Sequence, residues 1–153
     1  MPFSLWRMRR TVFSIAAATV ALLLGACASY DAHWQAARAS RDPYAGAYDG
    51  RWQSGRAATG GRLRCVLTQQ DAAHYQAWFH ATWHGVFQST HRVVLATRPA
   101  GKGLAFAGTA TLQTVIGAGS YRCSGQLTPE TLNAQYDAQY DTGTFTLTRV
   151  KSP

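Results

Sequence analysis

The chain has 153 residues and carries 15 Lys and Arg against 7 Asp and Glu, a net charge of +8. Three of the arginines stand in the first ten residues, and the other cations are scattered, so the charge describes a mildly basic solvated surface and names no partner by itself. The length is enough for one domain with a real core, even after a leader is removed.

Arg7, Arg9 and Arg10 precede an uncharged run from Thr11 to Leu24 that is rich in Ala, Val and Leu. A basic start, a short apolar stretch and a small-residue end make a secretory signal. The run is shorter than the roughly 20 apolar residues that span a bilayer. It stops at Leu24-Gly25-Ala26-Cys27. This resembles the bacterial lipobox, in which small residues admit the peptidase and the thiol takes a diacylglycerol through a thioether. The resemblance implies a signal peptide over residues 1–26 and a lipidated Cys27 as the new N-terminus. Acyl chains at about 0.8 kcal/mol per buried methylene form a stable membrane anchor. Ala28, where an Asp would favour the inner membrane in similar lipoproteins, points to the outer membrane and a periplasm-facing domain. Nucleic acid is not a partner expected at that address.

Residues 27–47 are short on aliphatics and read as a tether, with a short helix conceivable over Ala32–Ala39. From Tyr48 the pattern becomes alternation, which sets residues 48–153 apart as the domain. Eight runs follow, centred on Tyr48–Trp52, Leu63–Thr68, Tyr75–His84, Phe87–Thr97, Leu104–Gln113, Tyr121–Leu127, Leu132–Asp141 and Phe145–Arg149. Most turns between them are marked by Gly or Pro. Tyr75, Trp78, Phe79 and Val86 would also suit a helix, but Tyr-x-Ala-x-Phe-x-Ala-x-Trp is a complete alternation that Gly85 ends. No insertion is long enough for a parallel crossover. The predicted fold is all-β, an eight-stranded antiparallel up-and-down barrel.

The apolar parity faces the interior and alternates large with small, as in Tyr75 and Ala77 or Ala134, Tyr136, Ala138 and Tyr140. Cys65 and Cys123 share that parity, and in an oxidising compartment they are expected to form a disulfide. Arg149 also falls on the inward parity and needs a partner there. Trp52 on the neighbouring first strand is expected to supply it by a cation–π contact that closes the barrel. On Gly50-Arg51-Trp52 and Arg149 the chain resembles the calycin superfamily, which includes the lipocalins and carries Gly-x-Trp on its first strand and a basic residue on its last. The chain is shorter than the lipocalins and lacks their later Thr-Asp-Tyr-type motif.

No catalytic constellation stands out: there is no Gly-x-Ser-x-Gly elbow. Asp137 and Asp141 share a parity and are expected to face solvent. His80 and His84, i and i+4 on a strand, lie about 13 Å apart, too far to share a metal. No metal or cofactor is expected. With Trp78 they form a candidate exposed partner surface. The function expected is that of a non-enzymatic envelope lipoprotein, anchored to the membrane by lipid, whose barrel binds a small apolar ligand or packs against an envelope protein. The alternative is a periplasmic inhibitor of a lysozyme or other hydrolase, by resemblance of architecture and address, with Ser54–Gly61 and Arg98–Gly103 as its candidate loops.

Overall fold

Each run of alternation is a strand in the computed structural model, which describes residues 29–114 and 117–152. The strands are β1 (Gly46–Ser54), β2 (Gly60–Gln69), β3 (His74–Trp83), β4 (Phe87–Ala100), β5 (Gly103–Thr114), β6 (Gly117–Leu127), β7 (Thr131–Ala138) and β8 (Thr142–Val150). Each pairs antiparallel with the next, and β8 pairs back onto β1, so the sheet is a closed barrel in up-and-down order. Closure leaves no unpaired sheet edge. The leader, residues 1–26, and Cys27 lie outside the described residues.

The chain divides into two units, Met1–His33 and Trp34–Pro153. Of the first, residues 29–33 are described and helical; the second opens on helical residues 34–38. The helix anticipated over Ala32–Ala39 falls on this stretch. Within the second unit, Trp34 is buried and carries the guanidinium of Arg64, from the outer face of β2, 5.4 Å from its ring centre.

The interior is uneven along its axis. Leu67, Leu95, Leu127, Leu132 and Leu147 are essentially inaccessible and fill one half. Each such leucine contributes about 1.5–3 kcal/mol by leaving water. The other half holds larger rings with space between them, as described below. Gly50 permits the seam its close approach: a Cβ there would stand 2.1 Å from the carbonyl oxygen of Thr146 on β8.

At the filled end the structure departs from the predicted closure. The β1–β8 pairing is as expected, but its register sets Arg149 opposite Tyr48 and Trp52 opposite Phe145. Four residues of strand, about 13 Å, separate Arg149 from Trp52. The cation–π contact is therefore not formed, and the calycin-like closure that it represented is absent. Arg149 is instead satisfied by carbonyl oxygens. Its Nη1 donates to Pro43 at 2.6 Å and Pro129 at 3.5 Å, and its Nη2 to Asp42 and Ala45 at 2.7 Å and Ser40 at 3.3 Å. Asp42 folds the segment that offers them, its Oδ1 accepting from the backbone N–H of Tyr44 and Ala45. The Tyr48 hydroxyl donates to the Tyr44 carbonyl. The last residues assigned to the tether thus form the lid of the filled end.

The expected disulfide is also absent: Cys65 and Cys123 are free, buried thiols. They stand on β2 and β6, four strands apart in a ring of eight, hence on opposite walls. Strands about 4.8 Å apart make a ring of eight at least about 12 Å across. A disulfide holds its Cα atoms within about 7 Å. Shared inward parity told that both thiols enter the core, not that they stand on adjacent walls.

Two outcomes follow. Arg149→Ala is expected to destabilise by about 1–3 kcal/mol, because a set of part-buried carbonyls loses a charged donor, and Arg149→Lys to restore part of this. Chemical denaturation of a double-mutant cycle with Trp52→Phe should give a coupling within about 0.5 kcal/mol of zero; a larger value would restore the expected contact. Burial pushes the Cys123 thiol up to about 11 and the Cys65 thiol higher still. In a Cys27→Ser chain at pH 8, both should resist a thiol reagent while native and both react once unfolded without reductant. An unfolded chain that releases no thiol would show a disulfide.

Candidate functional site

The unfilled half of the barrel is a cavity of about 240 Å³ at the end where β1 runs out and β2 begins. Inward residues from all eight strands reach this level. Trp52, Leu63, Ala81, His91, Leu112, Tyr121, Tyr136, Ala138 and Phe145 line it, joined by Ser89 and by Asp141 from the turn between β7 and β8. The large–small alternation leaves room here, with the small Ala81 and Ala138 among the lining residues.

Aromatic rings form a connected wall. Phe145 meets Phe79 edge-on at 5.3 Å, Phe79 lies 5.3 Å from His91, His91 meets Tyr121 at 5.0 Å, and Tyr121 stacks on Tyr136 at 6.1 Å. Desolvation lowers His91 to about 4, so it is a neutral imidazole at physiological pH. Its Nε2, and the Nε1 of Trp52, are buried without a hydrogen-bond partner. The indole nitrogen stands beside Gly61, where a Cβ would come within 3.0 Å of it.

The polar feature of the cavity is Asp141. Read as a continuous strand, the sequence put Asp141 on the parity of Asp137 and turned both to solvent. In the structure β7 ends at Ala138, and Ala138 and Asp141 exchange backbone hydrogen bonds of 2.7 and 3.3 Å around residues 139–140. That tight turn resets the parity. Asp137 stays outside and pairs with Arg122 at 2.6 Å. Asp141 comes to stand opposite Ala138 and faces inward, while Tyr140, expected inside, is 62% exposed at the tip. The Asp141 carboxylate accepts at 2.7 Å from the Ser54 hydroxyl and at 2.7 Å from the Tyr136 hydroxyl. Burial and the neighbouring carboxylate both raise the Tyr136 phenol, which keeps it a donor. Ser54 is itself buried and fixed by the N–H groups of Arg56 and Ala57. A dipeptide turn of ordinary polar composition gave no sign of this in the sequence.

The other sequence candidates do not converge. Trp78, His80 and His84 are not one exposed surface: His80 is 8% exposed, Trp78 is half-buried with the Arg92 guanidinium 4.2 Å from its ring centre, and His84 is exposed in the β3–β4 turn. His84 adopts a left-handed φ of 50° next to Gly85 at 72°, which takes it off the strand that would have aligned it with His80. The outer face of β2 and β3 is covered near Val66 and His80, on the side where Arg64 holds Trp34. The presumed loop Arg98–Gly103 is a tight hairpin, since Pro99 and Ala100 pair with Leu104 and Gly103. Among the described residues, no three His, Cys, Asp or Glu side chains gather as a metal site requires.

No protein-family model matches the chain, and no curated protein does. Among solved structures the chain is similar to a de novo designed fluorescence-activating β-barrel, at 14% sequence identity and a TM-score of 0.49, over 71% of this chain and 94% of that one.

Proposed function

We propose that this chain is an envelope lipoprotein, anchored through an acylated Cys27, whose barrel binds a small, largely apolar molecule and catalyses no reaction. The observation that carries the binding reading is the open-mouthed cavity of about 240 Å³ lined by Trp52, Leu63, Leu112, Tyr121 and Phe145. Binding sites for small molecules are concave and mostly apolar with a few placed polar groups. An apolar cavity of about 150 Å³ takes up benzene, so this one suits a ligand of roughly ten non-hydrogen atoms. The anchor reading rests on the arginines, the apolar run and Leu24-Gly25-Ala26-Cys27.

Indole is a suitable first ligand, followed by calorimetry or by ligand-observed magnetic resonance. The wild-type chain should bind it saturably, and Ala81→Phe, which fills the cavity, should abolish binding without lowering the melting temperature. Absence of saturable binding by the wild-type chain, or full binding by the filled variant, would remove the cavity reading. For the anchor, Cys27→Ser should end palmitate incorporation and block normal processing of the leader. A Cys27→Ser chain that still sediments with membranes at the mature mass would refute lipidation.

A further inference from the structure

We infer, resting on the binding reading above, that the cavity selects a small aromatic amine, with its ammonium group at Asp141 and its ring among Trp52, Tyr121, Tyr136 and Phe145. The first ground is charge. The chain as a whole has 15 cationic side chains against 7 carboxylates, yet the cavity lining contains one carboxylate and neither Lys nor Arg. The lining therefore runs against the composition of the protein. His91 adds no positive charge, being held neutral by burial.

The second ground is how Asp141 is held. Both of its hydrogen-bond partners, Ser54 and Tyr136, are uncharged hydroxyls, and no cationic side chain among the described residues pairs with it. A carboxylate has about four acceptor positions. The two hydroxyls use two of them and leave the charge uncompensated. They also fix the group in place, so an incoming ammonium meets a preorganised acceptor rather than one that must be drawn into position.

The third ground is the wall. Indole, phenol and phenyl rings present negative faces, and an ammonium within about 6 Å of such a face gains roughly 0.5–2 kcal/mol. A carboxylate ligand would meet like charge at Asp141. A neutral apolar ligand would leave it unmatched. The cations of the outer surface do not reverse this preference, because at physiological salt their field decays over about 8 Å, whereas a charge in a narrow apolar cavity is screened far less.

The experiment compares three ligands of matched shape on the whole chain: phenethylamine, 2-phenylethanol and 3-phenylpropionate. At pH 7 and low salt the amine is expected to bind at least tenfold more tightly than the alcohol, and the acid not at all. Asp141→Asn should bring amine and alcohol to within threefold of each other while the alcohol still binds. Equal binding of amine and alcohol by the wild type, or a preference that survives in folded Asp141→Asn, would each overturn the assignment while leaving the cavity as a binding site for apolar molecules. If none of the three ligands binds and indole does not bind either, the binding reading itself fails, and this assignment with it.

Discussion

The hydrogen-bonded seam between β1 and β8 is what the rest of the structure depends on. Without it the eight strands would be an open, twisted sheet with two edges and one wet face. With it, the residues at alternate positions face a shared interior, and their sizes decide what that interior is. The seam also fixes register. Pairing Tyr48 with Arg149 and Trp52 with Phe145 sends the guanidinium to one end and the indole to the other. One set of backbone bonds therefore assigns the two most distinctive side chains of the sequence to separate tasks.

The two ends solve different problems. At one, leucines pack to near-complete burial, and Arg149 gathers the part-buried carbonyl oxygens of a folded segment. At the other, a connected wall of rings lines a space that it does not fill, and the buried Nε1 of Trp52 and Nε2 of His91 lack partners. Leaving a polar group unsatisfied costs about 1–3 kcal/mol. The stability lost at the cavity end is offset by the leucine-filled end, an arrangement in which one half of the barrel supports the other.

The barrel was legible in the sequence because its signal is repeated. Eight alternations with polar turns between them leave little choice of topology, and even the helix-like spacing around Trp78 yielded to the complete alternation of β3. What was not legible depends on facts that alternation does not carry. Parity says that a side chain enters the barrel, not at which height or on which wall. That is why Arg149 was assigned to Trp52, and why Cys65 and Cys123 were joined. Parity is also reset by any tight turn, so extending β7 through Tyr140 exchanged the faces of Tyr140 and Asp141 and hid the one carboxylate of the cavity. The segment at Asp42, whose carbonyls hold Arg149, reads locally as a polar linker.

That segment has a mechanical consequence. The backbone of residues 40–45 is bound to the barrel through carbonyl oxygens of Ser40, Asp42, Pro43 and Ala45 on a single guanidinium. Nearby, the Ser152 N–H donates to the Arg38 carbonyl and the Arg38 guanidinium to that of Lys151, so the chain leaves the barrel beside the place where it entered. Tension applied through residue 34 would not peel β1 from its neighbours one hydrogen bond at a time. It would first have to break these contacts, which share the load, before reaching the seam. Pulled from that side, the barrel would begin to open only after this clamp gives way, at the end opposite the cavity.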